Sequence, residues 1–354
     1  MGVVRRVPGT HEPELTVPVD LATPDGRRLN QEALGWSRMP LHRANLRGSW
    51  GRNKRWDYWA ILAGDLVISC VYADVDYLGL ADVWWLDLAS GESGGRGVGA
   101  PLALGFGLPE VAGAAPLQVA RRKFHLEMTD GVTDGMSATR IVASWRDRGG
   151  AEGRLDATVE APAGHESVNV VIPWSRQRFQ FTSKQVARPA RGSLSVGERR
   201  WEFGGAASAA WGVLDVGRGR WPYRTRWNWG GGAGRVADGR AVGLQIGGRW
   251  TAGTGFTENG VLVDGRLTKL GRELDWRYDW NEPLRPWRVE DPGGQLDLCL
   301  SPRYDKHTKF DVGLLRNETH QVFGTWSGTC TTDSGELLDL AGLQGFAEES
   351  RSRW

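Results

Sequence analysis

Short runs of apolar or alternating residues, separated by turn-forming residues, recur along this chain of 354 residues from residue 50 onward. Residues 66–73, 137–145 and 309–315 are three such runs, and Gly, Asp and Pro punctuate the sequence between the runs. Their short lengths and their content of β-branched and aromatic residues are typical of strands. Because no stretch keeps a helical spacing of apolar residues over three turns, the sequence predicts an all-β protein with little helix.

Two short motifs occur twice. RWDYW at residues 55–59 is echoed by RWNW at 226–229, and GRLD at 153–156 is echoed by GQLD at 294–297. The echoes are either chance matches in a chain rich in Gly, Trp and Arg, or traces of a duplicated β-domain. The second alternative predicts an extended N-terminal arm over residues 1–49, a first domain over 50–200 and a second over 201–354. Antiparallel barrels or strongly curved sheets would limit the exposed edges of so many strands.

The charge balance excludes two classes of partner. The chain carries 44 basic and 42 acidic side chains, for a formal charge of +2, which argues against binding of nucleic acid or of an anionic membrane surface.

The N-terminal residues lack the apolar region of a signal peptide, and the longest apolar run, 66–72, is too short to span a bilayer. Three cysteines without CxxC spacing indicate reduced thiols. We therefore expect a cytoplasmic protein without an integral membrane segment.

Motifs for metals and cofactors are missing from the sequence. The six His show no helical ligand spacing, and the Gly-rich stretches lack the strand–loop–helix context of a phosphate-binding loop. GxSxG, Walker and HExxH motifs are also missing. We expect neither a metal site nor a cofactor, and we expect the function to depend on side chains alone.

Tryptophan is the unusual residue of this chain, with 19 copies against six Tyr and nine Phe. Nine of the 19 lie between residues 201 and 287. In an extended strand Trp227 and Trp229 point to the same face, where two indoles form a wall that can stack a flat ligand or stabilise a cation. The composition therefore favours either a ligand pocket or Trp-rich cores.

Asp215 is the one carboxyl group of the segment 215–232 that contains these two indoles. If burial keeps it protonated, it can serve as a proton donor, with Arg218 tuning or orienting it. Tyr223 and Glu258 are further candidates for an acid or a base. The alternative is structural, with Asp215 paired to Arg218 or Arg220 to hold a loop.

Further ligand contacts are expected from aromatic and polar residues near the repeated motifs, namely Trp221, Trp56, Trp59 and Asn259. Asn259 follows Glu258, and adjacent strand residues face opposite sides. Only one of the two can therefore face a given interior. A turn with Asn in the left-handed conformation is the alternative interpretation.

Several motifs of this chain resemble a family known as domain of unknown function 2804, and the resemblance covers nearly the whole chain. They are WDYW at 56–59, the Ala-x-x-Asp-Tyr-x-Gly pattern at 73–79, Thr-x-Lys at 182–184, DVGRGRWPYRTRWNW at 215–229, TEN at 257–259, VDGRLTKL at 263–270 and the closing segment 348–354. More distantly, the order of Asp215, Trp227-x-Trp229 and 263–265 resembles the carotenoid hydratase group. That resemblance implies two lipocalin-like β-barrel domains in tandem, and relatives that act as hydratases or cyclases on isoprenoids and polyenes.

Three functions remain open from the sequence. The first is recognition of a bulky hydrophobic small molecule, such as an isoprenoid, polyene or lipid, with acid-catalysed hydration or cyclisation of a C=C bond. The second is a non-catalytic carrier with the same pocket. The third is a structural scaffold whose tryptophans fill cores. The sequence determines neither the ligand nor the oligomeric state.

Overall fold

The computed structural model of the chain describes residues 10–147, 149–205, 209–313 and 315–354. Within these residues the protein is built from β-strands, and the one helical element is a 3₁₀ turn, Gln31–Ala33, capped by the Asn30 side chain. The prediction of an all-β protein is confirmed.

The N-terminal segment is more ordered than the extended arm that the sequence predicts. It carries β1 (Val19–Asp20), β2 (Trp36–Ser37) and β3 (His42–Arg43), where β1 pairs with β3 and β2 pairs with the first large sheet. Leu21 and Leu46 are buried in one cluster with Phe179 and Phe181 of that sheet. The described part of the segment therefore packs as part of the first domain.

The first large sheet has thirteen strands, counting β2. Its other members are β4 (Asn53–Ala63), β5 (Leu66–Asp74), β6 (Leu78–Asp87), β7 (Glu92–Pro101), β8 (Leu117–Arg121), β9 (Phe124–Thr133), β10 (Met136–Arg146), β11 (Glu152–Glu160), β12 (Val168–Pro173), β13 (Phe179–Val196), β14 (Arg199–Phe203) and β15 (Trp211–Arg220).

The second large sheet has ten strands. They are β16 (Arg224–Arg235), β17 (Ala241–Gly248), β18 (Asn259–Val263), β19 (Arg266–Leu270), β20 (Asp275–Arg277), β21 (Trp287–Glu290), β22 (Leu296–Asp311), β23 (Arg316–Thr331), β24 (Leu337–Asp339) and β25 (Leu343–Arg353).

The two sheets share one topology. The first runs in the order β7-β6-β5-β4-β15-β13-β11-β10-β9-β8, and the second in the order β19-β18-β17-β16-β25-β23-β22-β21-β20. In each sheet the last long strand returns to pair with the first, β15 with β4 and β25 with β16. The fold is therefore a tandem of two near-barrel sheets, as predicted.

Both sequence echoes fall on equivalent strands. RWDYW lies on β4 and RWNW on β16, which occupy the same place in the two sheet orders. GRLD lies on β11, and GQLD leads into β22, which is the equivalent strand. This correspondence supports duplication over chance.

The change from one sheet to the other falls later in the chain than the predicted boundary at residue 200. β15 pairs with β13 and with β4, so residues 211–220 belong to the first sheet. The second sheet begins at Arg224. Asp215 therefore belongs to the first sheet, although its sequence neighbours Trp227 and Trp229 belong to the second.

Three apolar clusters organise the packing. One contains the inward-facing residues of the first sheet and a second those of the second sheet, including Trp287 and Trp326. The third contains residues of both sheets, among them Leu62 and Val213 of the first and Phe323 and Phe346 of the second. Strand β15 is buried along its whole length because one face covers the first core and the other faces the second sheet. The two sheets thus pack against each other through a shared aromatic interface.

No helix among the described residues is long and apolar enough to cross a membrane. In the same part of the chain, no group of three or more His, Cys, Asp and Glu residues could hold a metal ion.

Candidate functional site

Two rows of paired residues face each other across the interface between the sheets. The strand registers place Lys184 (β13), Asp215 (β15), Tyr58 (β4), Val71 (β5) and Asp82 (β6) in one row of the first sheet. They place Lys306 (β22), Gln321 (β23), Glu348 (β25), Trp229 (β16) and Gly247 (β17) in one row of the second sheet.

Contacts join the rows at several points. Lys184 pairs at 3.2 Å with Glu258, which directly precedes β18, and the Gln321 amide donates to the Tyr58 hydroxyl over 3.4 Å. We call the polar residues of this interface the interdomain polar layer. Its members are Tyr58, Asp82, Lys184, Asp215, Glu258, Lys306, Gln321 and Glu348.

Asp215 and Glu348 occupy equivalent positions in the two sheets. Asp215 lies opposite Tyr58 of the first motif, and Glu348 lies opposite Trp229 of its echo. Each carboxyl also accepts a hydrogen bond from the indole two residues before that partner. Trp56 Nε1 donates to Asp215 Oδ2 over 3.1 Å, and Trp227 Nε1 donates to Glu348 Oε1 over 2.7 Å. The duplication therefore produced two carboxyl–indole pairs that face one interface.

The two carboxyls differ in their next neighbour. Lys184 lies beside Asp215 on β13, with Nζ 2.9 Å from Oδ1, whereas Gln321 occupies the equivalent place beside Glu348 on β23. Thr182 also donates to Asp215 Oδ1 over 3.1 Å. Asp215 thus accepts hydrogen bonds from two neutral donors and pairs with an ammonium group, but Glu348 has no lysine beside it in its own sheet.

Lys184 is buried at the centre of the layer. Its ammonium nitrogen contacts Asp215 and Glu258, and it lies 4.4 Å from the centre of the Trp229 ring. Burial lowers the pKa of Lys184, but the two carboxylates outweigh burial and hold that pKa above its ordinary value. Lys184 therefore remains charged and fixes the local charge of the first-sheet row.

Burial raises the pKa of three carboxyls of the layer, Asp82, Glu258 and Glu348. Burial raises the pKa of Glu348 to about 7, against the opposing effects of its Trp227 hydrogen bond and of Lys184 and Lys306. Burial likewise raises the pKa of Glu258 to about 7, although Lys184 opposes it. Glu258 is only 1% exposed and Glu348 is 9% exposed. Glu348 is the more accessible of these two groups that can carry a proton near neutral pH.

Two glycines make room for this arrangement. A Cβ on Gly247 would lie 1.9 Å from Glu258 Oε1, the atom that accepts from Trp250 Nε1 over 2.8 Å. A Cβ on Gly217 would lie 2.2 Å from the Trp56 indole. Bare backbone at these positions lets a carboxyl and an indole lie directly against the sheet.

A cluster of six tryptophans closes one side of the layer. Trp221 lies at its centre, and the rings of Trp56, Trp174, Trp227, Trp250 and Trp354 are within 6 Å of its own. The Trp221 Nε1 donates to Gln180 over 2.8 Å. Trp221 is 4% exposed and lies between the last strand of the first sheet and the first strand of the second. It therefore holds the two sheets together.

The structure brings together part of the predicted site. Trp56, Trp227 and Trp229 belong to the interface cluster, and Trp227 and Trp229 point to the same side of β16. Glu258 and Asp215 both contact Lys184. Arg218 and Arg220, the partners that the structural alternative gives to Asp215, form no ion pair with it among the described residues.

Other predicted residues lie elsewhere. Arg218 cannot tune Asp215, because it faces the opposite side of β15, where it pairs with Asp57 at 2.6 Å. Trp59 lies in the core of the first sheet, since it faces away from the side of β4 that carries Trp56. Tyr223 is 38% exposed on the connection between the sheets. Asn259 is buried, with its side-chain oxygen accepting from the Gly247 amide and its nitrogen donating to the Arg272 carbonyl.

Sequence reasoning missed several members of the layer, above all Lys184, Glu348 and Lys306. Glu348 had a signal, because aligning the two echoes and their partner strands leads from Asp215 to Glu348. Lys184 had one in the Thr-x-Lys motif at 182–184, whereas Lys306 had none beyond the scarcity of lysine, which occurs six times in the chain. Their positions depend on long-range strand register, which no local pattern encodes.

The chain is similar to one sequence family and to several solved structures. The sequence model of the family DUF2804, domain of unknown function, matches residues 12–354. No curated protein sequence matches the chain. Among solved structures, kievitone hydratase from Nectria haematococca is 13% identical with a TM-score of 0.49, over 85% of this chain and 89% of that one. The protein CghA is 10% identical with a TM-score of 0.45, over 98% of this chain and 94% of that one.

Proposed function

This chain belongs to the DUF2804 family, domain of unknown function, and we propose that its interdomain polar layer binds a bulky hydrophobic small molecule and transfers a proton to it. The ligand class is an isoprenoid, a polyene or a lipid. The reaction is hydration or cyclisation at a C=C bond without a cofactor.

The aromatic surroundings of the layer support an apolar ligand. Several aromatic side chains pack against the interface cluster while remaining only half-buried; they are Trp56, Tyr58, Trp84, Trp174, Trp227, Phe256, Tyr304 and Trp354. Flat rings that keep part of their surface exposed beside a buried polar group form the usual lining of a small-molecule site. The same ring faces suit a developing positive charge, because Lys184 and Lys306 already lie over Trp229 and Trp84.

The single observation that carries the catalytic part is the difference between the two equivalent carboxyls. Asp215 pairs with Lys184, whose Nζ lies 2.9 Å from Oδ1. Glu348 lies beside the uncharged Gln321, and burial raises its pKa to about 7. A group with a pKa near the working pH can both donate and accept a proton. We therefore assign the proton donor to Glu348 and a positioning role to Asp215, in place of Asp215 as donor.

The chemistry follows from this assignment. The protonated Glu348 carboxyl donates its proton to one carbon of the C=C bond, and the π electrons of that bond form the new C–H bond. The carbocation left on the other carbon lies beside the Trp227 and Trp229 indoles. Water or a second C=C bond of the same ligand then supplies the electron pair that quenches the cation. A proton leaves the adduct and returns to the Glu348 carboxylate.

The experiment separates binding from chemistry. Binding is followed by the fluorescence of cis-parinaric acid, a conjugated polyene, and chemistry by deuterium incorporation into farnesol or squalene in D₂O. Glu348→Gln should retain parinaric acid binding and lose deuterium incorporation, because the amide can still accept from Trp227 but cannot donate a carboxyl proton.

Other results would change the assignment. Deuterium incorporation that survives in Glu348→Gln and disappears in Asp215→Asn would return the donor role to Asp215. Binding without incorporation by the wild-type protein would favour the carrier function, and absence of both would favour the scaffold.

A further inference from the structure

Two lysines that point into the protein, Lys54 and Lys306, form no ion pair among the described residues, and of these two Lys306 belongs to the interdomain polar layer. Lys184 and Lys269 are buried against carboxylates, Asp215 and Glu12 respectively. Within the described residues Lys306 has no ion pair, and its ammonium nitrogen lies 3.3 Å from the Ser69 hydroxyl and 4.1 Å from the centre of the Trp84 ring. The side chain is half-buried. The amine of Lys306 is therefore partly shielded from solvent, and a molecule bound in the interface can reach it.

A break in strand register directs Lys306 into this interface. The pairing of β22 with β23 shifts between Pro302 and Tyr304, so that Arg303 is an extra residue. Before the shift Leu300 faces the core of the second sheet, and after it Tyr304 faces the first sheet. A regular strand would turn Tyr304 and Lys306 into the core of their own sheet. Bulges of this kind re-aim side chains and are common beside active sites.

Burial makes the amine of Lys306 easier to deprotonate than that of an exposed lysine, although the Trp84 ring favours its charged form. Burial lowers its pKa from the ordinary value, and it outweighs the opposing charges of Asp82 and Glu348. The Trp84 ring on one side and the Ser69 hydroxyl on the other leave the nitrogen without a carboxylate partner. An amine in such a desolvated setting is the usual nucleophile for carbonyl carbon.

We propose that Lys306 captures ligands that carry an aldehyde or ketone by forming an imine with them. The inference rests on the proposed function, because the carbonyl compound must enter the same interface. The neutral Nζ adds to the carbonyl carbon, the C=O π electrons move to oxygen, and one N–H proton passes to that oxygen. The carbinolamine then loses its hydroxyl group together with the second N–H proton as water, which leaves a C=N bond to Lys306.

Reductive trapping tests this step directly. The wild-type protein is incubated with 2-naphthaldehyde and sodium cyanoborohydride at neutral pH, and its peptides are mapped by mass spectrometry. We expect one naphthylmethyl group per chain, located at Lys306. Excess cis-parinaric acid should slow its formation by competing for the interface.

Lys309 provides a matched control on the same strand, because it is exposed and pairs with Glu318 at 3.2 Å. Lys309→Arg should leave the labelling unchanged, whereas Lys306→Arg should abolish it while parinaric acid binding shows that the variant is folded. Label on Lys123 and Lys309 with none on Lys306 would overturn the imine proposal. If parinaric acid binds normally in that case, the proposed hydrophobic site stands and only the carbonyl chemistry fails.

Discussion

Replacing Glu348 by Gln should stabilise this protein at alkaline pH. Burial raises the pKa of Glu348 from 4.5 to about 7, so between these pH values the folded state binds a proton that the unfolded state has released. The free energy of unfolding therefore falls as pH rises through this range. At 1.36 kcal/mol for each pKa unit, the ionised carboxylate costs the folded state about 3 kcal/mol above pH 7. Glu348→Gln removes this cost while keeping an oxygen that can accept from Trp227.

The assay is urea unfolding of the wild-type and Glu348→Gln proteins at about pH 5 and about pH 8. The stability gained by the variant should be near zero at the acidic pH and should grow by up to about 3 kcal/mol at the alkaline pH. Glu152→Gln is the matched control, because Glu152 is an exposed strand residue paired to Arg146, and its effect should stay within about 1 kcal/mol at both pH values. A stability difference for Glu348→Gln that is the same at both pH values would refute a raised pKa, and with it the basis for choosing Glu348 as the acid.

Three further changes test the layer. Gln321→Lys places an ammonium group beside Glu348, as Lys184 lies beside Asp215, so it should lower the pKa of Glu348, weaken the loss of stability at alkaline pH in urea unfolding and reduce deuterium incorporation. An unchanged dependence of stability on pH would contradict the comparison of Asp215 with Glu348. Lys184→Met should lower the free energy of unfolding in urea by about 3–5 kcal/mol, because two buried carboxyls lose their cation, whereas Lys309→Met at an exposed lysine should lower it by about 0–1 kcal/mol. Equal losses in the two variants would disprove the burial of Lys184 with its two carboxyls. Trp227→Ala should weaken parinaric acid binding by about 1–3 kcal/mol and lower stability, and unaltered affinity would remove Trp227 from the ligand wall.

Local patterns in the sequence account for the fold class and for the duplication. Alternating strands such as β11, whose burial alternates along GRLDATVE, carry their structure in their own residues. The two echoes also identify equivalent strands of the two sheets. The sheet boundary could not be read in this way, because β15 belongs to the first sheet through its pairing with β4, a contact distant in sequence.

The sequence could predict which site residues lie together only where those residues belong to the same strand. Trp227 and Trp229 share a face of β16, as the period of two requires. The role given to Arg218 failed for the same reason, because residues 215 and 218 stand on opposite faces of β15. The pairing of Asp215 with Lys184 depends on the register of β13 against β15, and the position of Lys306 depends on a bulge in β22 beside Pro302, a residue type found at bulges within sheets.

The central claim is that an apolar molecule binds between the two sheets, against the interdomain polar layer. A crystal structure of the protein with cis-parinaric acid tests this most directly. The account predicts that the polyene lies between the sheets, in contact with the Trp227 indole and within reach of the Glu348 carboxyl. A polyene found inside the core of either sheet, away from Glu348, would contradict it.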